Sequence, residues 1–272
     1  MSRGNGPGNE EGHWVEVEGG RLAYDMAGEG PGVVLLHGGL WDRRTWDDQV
    51  DVLAERSTVV RYDLRGFGRS STPETPYSDL DDLGAVMDAA GLERATLVGC
   101  SLGGLVATMF AIERPARVLG LVLAASGLYG HRWAVGDHWE RHGEEVEAAV
   151  ERGDLPAAVD LDLRPWVPMG TDDPAGARLR AIAHENARQL TIDEDLSTAP
   201  EWTSVERLSE IDTPTLVLEG ERDVAEFREI ARILAERISG ARFETVPDSD
   251  HVIHVRQPET FNRLVVDFLA TL

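Results

Sequence analysis

The sequence predicts a doubly wound α/β fold: a mostly parallel sheet of about eight strands, helices on both faces, and an inserted helical cap. Short, largely apolar runs such as Val33-Val34-Leu35-Leu36, Thr96-Leu97-Val98 and Val118 to Ala124 have the composition of strands buried on both faces. Stretches with helical spacing separate them, which is the alternation expected of parallel strands joined by crossover helices. Between Gly127 and Val205 the alternation stops, then resumes at Thr215-Leu216-Val217-Leu218-Glu219.

In order, Trp14 to Glu18 and Arg21 to Asp25 read as a β-hairpin turning at Gly19-Gly20. Val33 to Leu36 follows as a buried strand and feeds into His37-Gly38-Gly39-Leu40. A helix is expected over Asp42 to Glu55, a strand over Thr58 to Tyr62, and a helix over Ser78 to Ala90 that ends at Gly91. The strand ending at Val98 leads through Gly99-Cys100-Ser101-Leu102-Gly103 into a helix running to Glu113. In the interrupted segment, helices are expected over Glu144 to Arg152, Leu155 to Leu163 and Ala175 to Leu190. A helix over Glu226 to Ile238, a strand over Ala241 to Val246 and an amphipathic helix over Pro258 to Leu269 close the chain. The expected division is a tail at 1–12, a core of 13–126 and 206–272, and a helical cap at 127–205.

The chain of 272 residues is 42% hydrophobic, enough for one large domain with an insertion. Its net charge of −23 comes from 49 acidic against 26 basic residues, the latter all arginine, so nucleic acid and anionic membranes are poor partners. One cysteine, Cys100, excludes an internal disulfide and suits a reducing compartment. The first ten residues lack the apolar core of a signal or membrane segment, so a cytoplasmic location is expected.

The residues able to carry chemistry lie where the predicted strands end. Gly99 and Gly103 flank Ser101 in a sharp strand-to-helix turn, which needs small residues where strand and helix pass closely. A serine hydroxyl is a weak nucleophile and needs a base plus a group that orients the base. Asp223 follows the strand ending at Glu219, and His251 follows the strand ending at Val246. At the carboxyl edge of a doubly wound sheet, Ser101, Asp223 and His251 would gather in the order nucleophile, acid, histidine.

Taken together, these motifs resemble the α/β-hydrolase family from Trp14 to the C-terminus. His37-Gly38-Gly39 is similar to its oxyanion loop, and Asp63-x-Arg65-Gly66-x-Gly68-x-Ser70 to the loop after its fourth strand. Gly99-x-Ser101-x-Gly103 resembles its nucleophile elbow, and Gly220-x-x-Asp223 and Asp250-His251 resemble its acid and histidine loops. The alternative acid position holds Ala125-Ser126-Gly127, with no carboxylate. The resemblance implies that His251 deprotonates Ser101, that Asp223 stabilises the imidazolium, and that the backbone N–H groups of Gly39 and Leu102 hold the oxyanion.

Other residues are expected to be structural. His37 would brace its loop, and Cys100 would pack away from the site. Arg65 would pair internally, while Asp248 and Asp250 would be solvated loop acids. His254 is the rival to His251, but it stands beside the helix start at Gln257-Pro258. His131, His138 and His142 with Asp137 fit no closed zinc pattern, so no metal and no cofactor are expected. Trp166 is expected to roof an apolar substrate pocket, and Trp133 is a second candidate for substrate contact. The expected function is a serine hydrolase cleaving a small carboxylic ester or lactone with an apolar part. The alternatives are a carbon–carbon bond hydrolase, a cofactor-free haloperoxidase-like enzyme, or a non-catalytic small-ligand receptor.

Overall fold

In the computed structural model of the chain, residues 12–131 and 137–272 are described. Eight strands form one sheet in the order β1-β2-β4-β3-β5-β6-β7-β8: β1 His13–Val17, β2 Gly20–Ala27, β3 Gly32–Leu36, β4 Thr58–Tyr62, β5 Ala95–Cys100, β6 Val118–Ala124, β7 Thr215–Gly220 and β8 Arg242–Val246. The pairs β1–β2 and β2–β4 are antiparallel and every other pair is parallel.

The apolar runs follow from burial on both sides. Val33, Leu35, Val98, Val122, Leu216 and Leu218 pack on one face against Leu53 of α1 (Asp47–Ala54) and against Phe261, Val265 and Phe268. The latter three lie on the helix Pro258–Leu269. Val34, Leu36, Leu97, Leu121, Leu123 and Val217 take the opposite face and meet α2 (Asp79–Ala89) and α3 (Leu102–Glu113). Successive side chains of one strand thus enter different cores, so a strand without polar alternation is required.

Between β6 and β7 the described chain is helical, with α4 Asp137–Glu151, α5 Leu155–Leu163, α6 Pro174–Glu185 and the short α7 Ser204–Arg207. Leu163, Leu179 and Ile182 of this insertion pack on Leu40, Trp41, Val252 and Val255 of the core. After β7 come α8 Ala225–Arg237, α9 Ile253–Arg256 and α10 Pro258–Leu269.

Several boundaries differ from the sequence reading. Gly20 pairs with Val17 and so belongs to β2, which places the hairpin turn at Glu18-Gly19, with Gly19 at φ +74°. The helix expected from Asp42 begins as a 3-10 turn over Arg43–Trp46, capped by the Asp42 side chain. α4 starts at Asp137, seven residues before the expected Glu144. The helix expected to reach Leu190 ends at Glu185 and passes into a 3-10 turn over Ala187–Thr191; at the junction the Asn186 side chain donates to Asp42 (2.8 Å) and accepts from the Gly68 N–H (2.6 Å). No helix of the described residues is long and apolar enough to cross a membrane.

Candidate active site

A single residue, Ser101, separates the end of β5 from the start of α3. Its backbone stands at φ +52°, ψ −114°, a conformation that L residues adopt only under constraint. Four hydrogen bonds impose it. The Ser101 N–H donates to the carbonyls of Ala124 (3.2 Å) and Ala125 (3.1 Å), and its own carbonyl accepts from Leu105 (3.0 Å) and Gly127 (2.9 Å).

The flanking glycines are demanded by close approach. A Cβ on Gly99 would collide with the Gly103 backbone, and one on Gly103 with the Leu36 and His37 carbonyls. Gly103→Ala is therefore expected to lower unfolding free energy by about 1–3 kcal/mol, although alanine is the better helix former. Gly143→Ala in α4, where a Cβ meets no atom within 4 Å, is expected to raise it by about 0.5–1 kcal/mol. Urea denaturation of the two variants checks the pair, and equal effects would refute the packing argument.

Asp223 lies three residues beyond β7, and His251 lies in the loop between β8 and α9. Their side chains meet in the interior: His251 Nδ1 is 3.1 Å and 3.0 Å from the two Asp223 carboxylate oxygens. Asp223 Oδ1 also accepts the Val224 N–H at 2.8 Å, which fixes the carboxylate plane. With Nδ1 donating to a carboxylate, the proton-free nitrogen is Nε2, which is buried and has no hydrogen-bond partner among the described residues. The ring is held between Phe227, edge-on at 4.4 Å, and Trp166 at 5.0 Å.

Ser101 and His251 line one cavity of about 210 Å³ together with Gly39, Leu40, Trp41, Leu102 and Trp166. Leu102 is the first residue of α3, so its N–H has no partner within the helix and stands at the positive end of the helix dipole. A Cβ on Gly39 would meet nothing within 4 Å. A side chain there would project into free space beside Ser101, and glycine keeps its backbone N–H approachable. A larger cavity of about 620 Å³ lies at the opposite edge of the sheet, against Gly32, Thr96 and Leu119 at the starts of their strands, away from Ser101 and His251.

Trp166, expected over the pocket, lines the cavity; Trp133 lies outside the described residues. His254 is separate from the Asp223–His251 pair. It stacks on Trp46 at 3.7 Å, neither ring nitrogen has a hydrogen bond among the described residues, and burial pushes its pKa well below the usual imidazole value. His37 accepts the Leu64 N–H at Nε2 (2.9 Å) and donates from Nδ1 to the Gly38 carbonyl (2.7 Å). Burial pushes His37 below its ordinary value too, so a neutral ring braces the Gly38-Gly39 loop. Cys100 is buried with its Sγ 3.8 Å from the His251 carbonyl, and burial drives its thiol pKa far up. Arg65 grips Asp82 at 2.8 Å and 2.6 Å.

Asp248 is exposed and pairs with Arg222, whereas Asp250 corrects the expectation of a solvated acid. Asp250 is fully buried and held by Arg256. Among the described residues, no three His, Cys, Asp or Glu side chains converge as metal ligands; His138 faces Glu226 (3.7 Å) and His142 faces Asp162 (3.8 Å).

The sequence reading did not single out Trp41, Phe227, Asp162 or Gln189 for the site. Trp41 follows two residues after Gly39, and Phe227 stands one helical turn beyond Asp223, so their spacing offered a signal. Asp162 and Gln189 reach the cavity from the insertion and had none.

The ordered serine, aspartate and histidine loops agree with a family-level match: the model of the alpha/beta hydrolase family fits residues 33–264. The chain belongs to this family. The hydrolase is 28% identical over 260 residues to a putative carbamate hydrolase RutD of Azorhizobium caulinodans, covering 92% of this chain and 96% of that protein. It is 28% identical over 230 residues to 3-oxoadipate enol-lactonase 2 of Acinetobacter baylyi, covering 81% of each. Among solved structures, a thermophilic esterase from Thermogutta terrifontis superposes with a TM-score of 0.82 at 25% identity, over 96% of this chain and 98% of the esterase.

Proposed function

We propose that this hydrolase cleaves a small carboxylic ester or lactone through an acyl-enzyme on Ser101, with 127–205 acting as a cap over the site. The observation that carries this reading is His251, anchored to Asp223 through Nδ1, with an Nε2 that has no partner among the described residues, in the lining of the cavity that Ser101 also lines. As Ser101 Oγ attacks the carbonyl carbon, Nε2 takes its proton and Asp223 stabilises the imidazolium. The Leu102 and Gly39 N–H groups receive the oxyanion, one such donor being worth roughly 3 kcal/mol in the transition state. His251 then protonates the leaving alkoxide and the acyl-enzyme remains. Water, deprotonated by the same nitrogen, attacks the acyl carbon; Ser101 leaves with the returned proton and the acid departs.

The similarity to an enol-lactonase and an esterase supports the ester or lactone class. The indole of Trp166 and the aliphatic Leu40 suit an apolar acyl or alcohol part. These steps use no cofactor, and a surface carrying −23 charges suits a freely diffusing small substrate better than a polyanion.

A fluorophosphonate probe is expected to label the protein at Ser101, located by peptide mass spectrometry, and p-nitrophenyl esters of short acids are expected to turn over. Labelling elsewhere with no ester turnover would sink the hydrolytic reading and leave the fold serving a non-catalytic ligand.

A further inference from the structure

We propose that Arg256 is a positioning residue that ties the helical insertion to the histidine loop, so that Trp166 and His251 keep one spacing across the cavity. Its kinetic consequences rest on the hydrolytic reading above, but its structural ones do not.

Arg256 ends α9 with a side chain only 2% exposed, and its guanidinium serves both parts of the molecule at once. Toward the histidine loop, Nε donates to both oxygens of Asp250 at 3.1 Å and 3.0 Å. Toward the insertion, Nη1 donates to both oxygens of Asp173 at 3.0 Å and 2.9 Å, and Nη2 to the Gly170 carbonyl at 2.7 Å. Asp250 immediately precedes His251, and its carboxylate lies close to the Met169 backbone N–H. Thus Met169, Gly170 and Asp173 of the insertion all close on the Asp250–Arg256 pair.

Trp166 sits one turn upstream of these anchors. The Gly170 N–H donates to Val167 (2.8 Å) and the Trp166 N–H to Leu163 (3.1 Å), so little slack separates the indole from the clamp. The indole in turn lies 5.0 Å from the His251 ring. The contacts form a closed circuit from Trp166 through Gly170, Arg256, Asp250 and His251 back to Trp166.

Neutralising Asp250 would require only one edge of a guanidinium. A buried ion pair is weak evidence for stability, because desolvation offsets much of its attraction. What a planar, forked cation supplies is direction, and this one spends its remaining donors on the insertion. Arg256 therefore sets where the pocket wall stands relative to the base.

Asp173→Asn tests the clamp with the fold preserved. Asp173 is half-exposed and N-caps α6 by accepting the Gly176 N–H at 2.7 Å, a role asparagine fills as well. The variant is expected to raise KM for a p-nitrophenyl ester roughly fivefold with kcat within about twofold, since it loosens the wall and leaves Asp250 paired. Arg256→Lys, which keeps the charge without the fork, is expected to lower kcat about tenfold as well. Hydrogen exchange followed by mass spectrometry should speed up in the peptide spanning 164–171 in both variants, and in that spanning 249–256 in Arg256→Lys.

Unchanged KM and unchanged exchange at 164–171 in Asp173→Asn would overturn the proposal. So would parallel loss of kcat, KM and thermal midpoint, which marks a merely structural role. If the wild-type protein turned over no ester, the hydrolytic reading would fail and the exchange data alone would decide the clamp.

Discussion

His251→Ala is expected to lower kcat for ester hydrolysis about 10⁴-fold, whereas His254→Phe should leave kcat within about threefold of the wild type. The two histidines are three residues apart and both buried, so burial does not distinguish them. Their partners do. His251 has a carboxylate on Nδ1, lines the cavity shared with Ser101 and can gain a proton that Asp223 stabilises. Among the described residues His254 has no hydrogen bond on either nitrogen, and an indole lies against its face, so its ring functions as an aromatic plate. Phenylalanine preserves that stacking and leaves no polar atom unsatisfied, which makes it a better control than alanine, whose cavity would cost about 2–4 kcal/mol. Steady-state kinetics on one p-nitrophenyl ester measures both variants. Loss of activity in His254→Phe with retention in His251→Ala would transfer the base to His254.

Much of this site is legible in the sequence because it lies where periodic elements end. The strands that lead to Ser101 and Asp223 have apolar centres, since Leu97 and Val98, or Val217 and Leu218, enter cores on opposite faces. A strand with that requirement has few alternative readings, and its carboxyl end locates the loop that follows. Gly99 and Gly103 are readable for a related reason: each is fixed by a backbone contact that excludes a side chain.

What was not legible depends on partners distant in sequence. Asp250 resembles its exposed neighbour Asp248 until Arg256 folds back on it. The first turns of α4, Asp137 to Gly143, hold no apolar stripe; Trp139 anchors them by stacking on Trp166 at 5.5 Å and donating to Glu226 at 2.9 Å. At Asn186 α6 gives way to a 3-10 turn although the local pattern continues, and the Asn186 side chain is held there by Asp42 and Gly68. In each case a long-range hydrogen bond or ring contact overrides the local signal. The wall of the cavity is built largely from such residues, so pocket shape is less readable than the serine, acid and histidine loops.

Asp223→Asn is expected to lower kcat by a similar factor, about 10⁴, with KM little changed. The substitution conserves shape, so the loss must come from where the imidazole proton sits. In the native arrangement Asp223 Oδ1 accepts the Val224 N–H at 2.8 Å while both oxygens lie near His251 Nδ1. An asparagine must keep its carbonyl oxygen on the Val224 N–H, because an amide NH₂ there would set donor against donor. Its NH₂ then falls at the position of Oδ2, 3.0 Å from Nδ1, and requires Nδ1 to accept. The ring proton moves to Nε2, which can no longer take the Ser101 proton. Asp223 does not line the cavity, so substrate binding is spared. Nitrogen-15 NMR of labelled histidine should report the tautomer switch at His251 directly, alongside kcat and KM. A variant that retains kcat within tenfold, or loses it with the Nδ1–H tautomer intact, would remove Asp223 from its orienting role.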